Sequence, residues 1–231
     1  MKVNNRKIHV VGINSYEFEE LSSSVKLLLR DIENIAIPQS YFDQINIWFN
    51  KSENCKKKLF SSGSNNDLIK WLENNKSDVA LISRGDPLWF GIGRVLLDHF
   101  PKEELMFYPS MTCVQLAFRR LKKPWQSVKC ISIHGRETDK LIKAMKSRAH
   151  NLAIIPDHKK NNLELIRRNL LELQLDNFYQ IWICEELGFK GEKLTALKTN
   201  EELPKDISDL HIIILTKKEV FNYKGTYPLF G

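Results

Sequence analysis

Val79–Ile82, VALI, followed by Ser83–Gly93, SRGDPLWFGIG, decides how this chain is read. The first four residues are an apolar run of β-formers, and Val95, Leu96 and Leu97 beyond the motif begin a helix-like stretch. A buried strand that breaks at Gly85-Asp86-Pro87 and restarts as a helix leaves backbone N–H groups at the carboxyl edge of a sheet. Open α/β sheets bind their ligands there. Glycine permits a close main-chain approach, and Pro87 sets φ for the first turn of the next element. Taken alone, the stretch fits an ordinary strand–helix turn equally well.

Working outward, apolar β-like runs alternate with helical patterns. Ile8–Ile13 reads as the first strand and Phe18–Leu29 as an amphipathic helix. Ile45–Phe49 and Lys58–Phe60 read as strand pieces around a polar Asn50–Lys57 turn. Asp67–Asn75 reads as helical, with Asp67 near its N-terminus. Leu105–Tyr108 is a short strand ending at Pro109, and Cys113–Leu121 a helix stopped by Lys122-Lys123-Pro124. A second cycle runs through the strand Val128–Ile133, the turn His134-Gly135-Arg136 and the helix Asp139–Ala149. It continues with the strand Leu152–Ile155, the helix Leu163–Leu173 and the strand Tyr179–Glu185. A turn at Gly188–Gly191, an extended Lys193–Leu197 and a last strand His211–Thr216 complete it. The alternation predicts an α/β protein with mainly parallel pairing. Pro124–Ser127 separates the cycles into domains 1–125 and 126–231, and no short-period repeat is visible.

At 231 residues, 42% hydrophobic and 27% charged, the chain can bury a sizeable core as one large or two small soluble domains. No apolar run approaches the roughly 20 residues of a membrane helix, and the N-terminus reads as a first strand rather than a signal peptide. Cys55, Cys113, Cys130 and Cys184 are scattered, with no CxxC pair. Metal-ligand spacing is absent, and reduced thiols point to the cytoplasm. The formal charge of +7 and pI near 9.1 suit nucleic acid, an acidic membrane or a small polyanion. Much of that excess sits in lysine-rich stretches such as Lys56-Lys57-Lys58 and Lys159-Lys160, which equally read as solvated surface. Gly12 stands alone where a dinucleotide fingerprint needs G-x-G-x-x-G, and no P-loop occurs.

Further loops stand at strand ends. Pro109-Ser110-Met111-Thr112-Cys113 opens a helix, with Thr112 or Ser110 able to cap it. Adjacent strand ends build one crevice, so this loop and the Gly85 turn can face one ligand. In His134-Gly135-Arg136, Arg136 can grip a carboxylate in bidentate fashion. Glu185-Glu186 offers paired carboxylates, which serve acid–base chemistry or simply form ion pairs. No Ser/His/Asp or Cys/His arrangement can be assembled.

Together these loops resemble the tetrapyrrole methylase family, and within it the precorrin-6y C5,15-methyltransferases that methylate carbon 5 of the macrocycle. The resemblance is carried by VVGI at Val10–Ile13, SRGDPLWFGIGRVLL at Ser83–Leu97 and YPSMTCVQLAFRRL at Tyr108–Leu121. PWQ at Pro124–Gln126, SIHGR at Ser132–Arg136 and ICEELG at Ile183–Gly188 complete it. It spans nearly the whole chain. It implies two α/β domains with S-adenosylmethionine in the cleft between them, and cobalamin biosynthesis as the setting. The family's cofactor contacts carry over to Arg84, Gly85, Asp86, Trp89, Thr112, Cys113, Pro156 with Asp157, Leu187 and Gly188. Arg136, His134 and Arg119 are the substrate candidates, with Arg94 and Arg120 as further cations for a macrocycle rich in acetate and propionate arms. No catalytic base is assigned, no metal is expected, and neither nucleic acid nor membrane is an expected partner. Homodimers are usual in the family. Fused members carry a carbon-15 methyltransferase and decarboxylase domain, and this chain ends at Pro228–Gly231, about where that linker begins. Two departures stand out. The first loop continues as Ile13-Asn14-Ser15-Tyr16 instead of a further glycine and proline. Ile37-Pro38-Gln39-Ser40 stands where a glycine-arginine turn is usual. The alternatives are a ribosomal-RNA ribose methyltransferase of the same fold, and a non-catalytic partner domain.

Overall fold

The computed structural model describes residues 6–50, 57–133, 138–157 and 162–218. The chain divides into two compact units, Met1–Lys122 with Leu187–Gly191, and Lys123–Glu186 with Glu192–Gly231. Both are α/β.

The first unit contains the strands β1 (Ile8–Ile13), β2 (Asn34–Pro38), β3 (Lys58–Ser62), β4 (Val79–Arg84) and β5 (Leu105–Tyr108). They form one sheet in the order β3-β2-β4-β1-β5, with every pair parallel. Its helices are α1 (Ser23–Asp31), α2 (Phe42–Asn50), α3 (Asn65–Asn74), α4 (Gly93–His99) and α5 (Cys113–Leu121). Strand residues alternate between faces, and the central strands are apolar on both, as parallel strands covered from two sides must be. Val11, Ile13, Ile35, Ile37, Ala80 and Ile82 pack with Val25 and Leu29 of α1 and Ile45 of α2. Val10, Ala36, Val79 and Leu81 pack on the other face with Leu68 and Leu72 of α3 and Leu96 of α4. Each such buried aliphatic side chain contributes on the order of 1.5–3 kcal/mol.

The second unit contains β6 (Lys129–Ser132), β7 (Asn151–Ile155), β8 (Tyr179–Glu185), β9 (Lys193–Leu197) and β10 (His211–Lys217), with helices α6 (Asp139–Lys146) and α7 (Asn162–Glu172). The sheet order is β6-β7-β10-β8-β9. Leu141 and Met145 of α6 and Ile166 and Leu170 of α7 close its core over Leu152, Ile154, Ile181, Ile183, Ile213 and Leu215. Tyr179 is buried in that core, and its hydroxyl donates to the Ala149 carbonyl at 2.5 Å. Burial pushes its pKa up to about 12, against a smaller opposing pull from Arg148.

Two expectations need correction. Ile45–Phe49 is not a strand but part of α2, because Tyr41, Ile45 and Trp48 recur at helical spacing and pack against the sheet. The second strand is instead Asn34–Pro38, with Ile35, Ala36 and Ile37 buried. Phe18–Leu29 is not one helix. A 3-10 turn, Phe18–Glu20, is followed by α1, which restarts where the Ser22 hydroxyl accepts from Val25 N. Parallel pairing holds throughout the first sheet, but in the second only β6 and β7 are parallel. The Glu186–Glu192 connection is too short for a parallel crossover, which takes roughly a dozen residues. The Asn50–Lys57 turn falls mostly outside the described residues. Among those described, no helix is long and apolar enough to cross a membrane.

The packing of β1 has two testable consequences. A Cβ on Gly12 would lie 1.9 Å from the Gly85 carbonyl oxygen and 2.9 Å from Ser110 N. Gly12→Ala is therefore expected to cost about 1–3 kcal/mol, the usual range for overpacking, measured by urea unfolding. An unchanged midpoint would contradict the contact. His9, also on β1, lies 2.9 Å through Nδ1 from the Tyr108 hydroxyl. Burial lowers its pKa, with Asp78 opposing and Lys7 adding to the shift. As pH falls through about 6.5 the unfolded chain takes up a proton there and the folded chain does not, so stability declines. His9→Asn is expected to remove that part of the acid loss, at most about 1.4 kcal/mol per pH unit. Parent and variant curves that run parallel from about pH 7.5 to 5.5 would refute it.

Candidate functional site

In the first unit, β1 and β4 are neighbours, yet α1 packs on one face of the sheet and α4 on the other. The chain therefore diverges at their carboxyl ends, the place where open α/β sheets take ligands. The Gly85 turn sits at this point. Gly85 N donates to the Ile13 carbonyl at 2.7 Å, and the Gly85 carbonyl accepts from Ser110 N at 3.3 Å. The ends of β1, β4 and β5 are thus stitched through one glycine, whose φ of +62° is a conformation that L side chains rarely adopt.

The loops on either side are built from within. Asp86 Oδ1 accepts from Leu88 N at 2.9 Å, and the Asp86 carbonyl accepts from Trp89 N at 3.0 Å. Trp89 and Phe90 meet edge to face at 4.9 Å. Thr112 caps α5 in a reciprocal box. Its hydroxyl accepts from Gln115 N at 3.2 Å, while Gln115 Oε1 accepts from Thr112 N at 2.8 Å. Replacing such a cap by alanine costs about 1 kcal/mol. Cys113 is the first residue of α5. Gly188, with φ +83°, lies so close to the loop after β1 that a Cβ would come 2.2 Å from the Asn14 carbonyl oxygen.

Arg84 ties these loops together through its side chain. Nη2 donates to the Tyr16 hydroxyl at 2.7 Å, and the guanidinium lies 4.5 Å from the Tyr41 ring centroid and 5.6 Å from that of Phe189. Tyr16 and Phe189 approach to 4.3 Å. The Tyr41 hydroxyl donates to the Ile82 carbonyl at 3.2 Å. Burial raises its pKa, with Arg84 pulling the other way, so it remains protonated and a donor. Arg84 Nε is buried without a hydrogen-bond partner, as is Ser83 Oγ. Beside the Arg84 cluster opens a groove of about 1180 Å³, lined by residues that include Tyr16, Phe18, Trp48, Phe189, Lys57 and Lys190.

Of the expected cofactor residues, the structure brings Arg84, Gly85, Asp86, Trp89, Thr112, Cys113, Leu187 and Gly188 into this first unit. Pro156 belongs to the second, where it comes directly after β7 and is buried beside Asp157. The Asp157 carbonyl accepts from Asn162 Nδ2. Arg119 is exposed in the last turn of α5, not at its start, and Arg94 and Arg120 are exposed on their helices. His134 and Arg136 lie outside the described residues. The Glu185–Glu186 pair holds a turn in place. Glu185 Oε1 accepts from Ser208 N, and Glu186 Oε1 from the Ser208 hydroxyl, both at 2.9 Å, with Lys193 3.7 Å from Glu185. Tyr41 and Phe189 carry no sequence signal as site residues, because neither belongs to a motif. Tyr16 lies in the Ile13–Tyr16 loop, one of the two stretches that depart from the expected pattern. Among the described residues no three His, Cys, Asp or Glu side chains gather as metal ligands.

Known proteins resemble this chain in sequence and in fold. A probable cobalt-precorrin-7 C(5)-methyltransferase of Methanocaldococcus jannaschii is 25% identical over 213 residues, covering 90% of this chain and 96% of that protein. The crystal structure of a precorrin-6Y methylase from Archaeoglobus fulgidus superposes with a TM-score of 0.65 at 22% identity, over 92% of this chain and 99% of that one. A uroporphyrin-III C-methyltransferase from Thermus thermophilus, solved with S-adenosylhomocysteine, gives 0.63 at 16% identity, over 91% and 97%. Residues 7–203 match the family described as Tetrapyrrole (Corrin/Porphyrin) Methylases. The chain belongs to that family.

Proposed function

We propose that this protein is an S-adenosylmethionine-dependent C-methyltransferase that methylates carbon 5 of a precorrin macrocycle in cobalamin biosynthesis. The observation that carries the reading is the stitching of Ile13, Gly85 and Ser110, which gathers three of the family's loops at one sheet edge. The relative from Methanocaldococcus jannaschii, matched over 96% of its length, supports the choice of substrate.

The residues present fit the cofactor. The turn at Gly85 offers main chain without a side chain in the way, and the buried Arg84 Nε is a donor without an acceptor. S-adenosylmethionine supplies an electrophilic methyl group already activated by its sulfonium. The protein's part is orientation, which is worth up to about 7–11 kcal/mol in the best intramolecular cases. That accounts for a site made, among the described residues, of turn-formers and caps. Arg84, Gly85, Asp86, Trp89, Thr112, Cys113, Leu187 and Gly188 are the proposed cofactor residues of the first unit. Pro156 is assigned on the family resemblance. His134, Arg136 and Arg119 are proposed for the acidic substrate, whose carboxylates give the net charge of +7 a partner. A cytoplasmic homodimer completes the reading, each chain divided near Pro124–Ser127 except that Leu187–Gly191 belongs with the first unit.

The test is calorimetric titration with S-adenosylhomocysteine, and then transfer of labelled methyl to a precorrin. Saturable binding and label on the macrocycle are expected. Gly85→Ala, forced to φ +62°, is expected to weaken S-adenosylhomocysteine at least about tenfold, the equivalent of 1.4 kcal/mol. Absence of binding by the parent protein would overturn the proposal, and binding with label on ribosomal RNA alone would redirect it to the alternative substrate.

A further inference from the structure

The same sheet has a second divergence. β2 and β4 are neighbours, but α2 packs on one face and α4 on the other. Their carboxyl ends, with that of β3, open on a pocket of about 520 Å³ whose lining includes Gln39, Ser40, Ser62, Gly63, Asn65 and Ser83. None of its lining residues is charged. Ser83 is 9% exposed, and its hydroxyl is buried with no hydrogen-bond partner. Buried hydroxyls are ordinarily satisfied, so this one marks a place for an acceptor. The N-terminus of α3 begins at the same pocket, and helix N-termini favour anions. Its cap, Ser64, is already engaged, accepting from Asp67 N at 3.2 Å and donating to Asp67 Oδ2 at 2.7 Å. Asp67 does not line the pocket.

We propose that this pocket takes one carboxylate-bearing arm of the substrate macrocycle, with Ser83 Oγ donating a hydrogen bond to it. The inference rests on the methyltransferase reading above. Donors without a cation suit a single carboxylate, and the volume suits an arm. The arm belongs to the substrate and not to the cofactor because the proposed cofactor loops extend from β1, β4 and β5, whereas this pocket is framed by β2, β3 and β4. Strand alternation makes the division physical: Arg84 lies with Tyr41 on the α1 and α2 side, and its neighbour Ser83 turns to the other.

Steady-state kinetics of Ser83→Ala with a precorrin is the test, with Ser83→Thr as the variant that keeps the hydroxyl. A hydrogen bond to a charged group predicts that KM rises about tenfold or more in Ser83→Ala and returns toward the parent value in Ser83→Thr. The Kd for S-adenosylhomocysteine is expected to stay within about twofold, well under the tenfold that each 1.4 kcal/mol brings. A second readout needs no turnover: propionate added to the protein alone should shift the amide resonances of Gly63, Asn65 and Ser83, and Ser83→Ala should abolish the shifts. An unchanged KM, or no propionate shift in the parent, overturns the proposal. So does a loss confined to S-adenosylhomocysteine affinity, which would give the carboxylate to the cofactor. Failure of the parent to methylate any precorrin overturns the reading beneath it, while propionate shifts that vanish in Ser83→Ala would still support a carboxylate site.

Discussion

The main-chain approach of Gly12 to the Gly85 carbonyl oxygen sets the geometry on which the rest of the first unit depends. No side chain fits between them, because even a methyl group would overlap that oxygen at 1.9 Å. With the two strand ends this close, Gly85 N reaches Ile13 and its carbonyl reaches Ser110, so that a single residue fixes three loops. Gly188 repeats the device against Asn14, where a Cβ would lie 2.2 Å from the carbonyl oxygen. The site is therefore assembled from backbone, and its precision comes from parallel strands buried on both faces rather than from a network of charged side chains.

That burial also explains how one strand serves two ends. β4 is central, and its alternation sends Ala80 and Ile82 to one core and Val79 and Leu81 to the other. At its carboxyl end the same alternation delivers two polar residues instead of two apolar ones. Arg84 is held among Tyr16, Tyr41 and Phe189 on one side, and Ser83 reaches the pocket beside α3 on the other. Both carry a buried polar atom without a partner. Such atoms are few in folded proteins, and these two, on consecutive residues at the sheet's carboxyl edge, are the ones that the proposed cofactor and substrate contacts would satisfy.

Much of this is legible in the sequence, for reasons that can be named. β5, α5, β8 and β9 match their sequence-read bounds, and for β5 and α5 the local signals are Pro109, Thr112 and the Lys122-Lys123-Pro124 stop. The Gly85 turn is legible for the same reason. α2 reads falsely as a strand because Ile45–Phe49 is short and apolar, and such a run takes its helical character from tertiary packing on the sheet. The antiparallel half of the second sheet is hidden because β10 inserts between β7 and β8, a pairing across a long sequence separation. Tyr41 and Phe189 are illegible as site residues: each is an ordinary aromatic until the fold brings Arg84 between them. Ser83 stands inside the motif, but only the structure reveals that its hydroxyl is alone.

The stitched ends of β1, β4 and β5 are proposed to hold the cofactor, and every functional assignment depends on that placement. A crystal structure of the protein grown with S-adenosylhomocysteine tests it most directly. The ligand is expected against the main chain of Gly85 and Asp86 and the loop Ser110–Thr112. A ligand seated elsewhere, with that turn left bare, would contradict it.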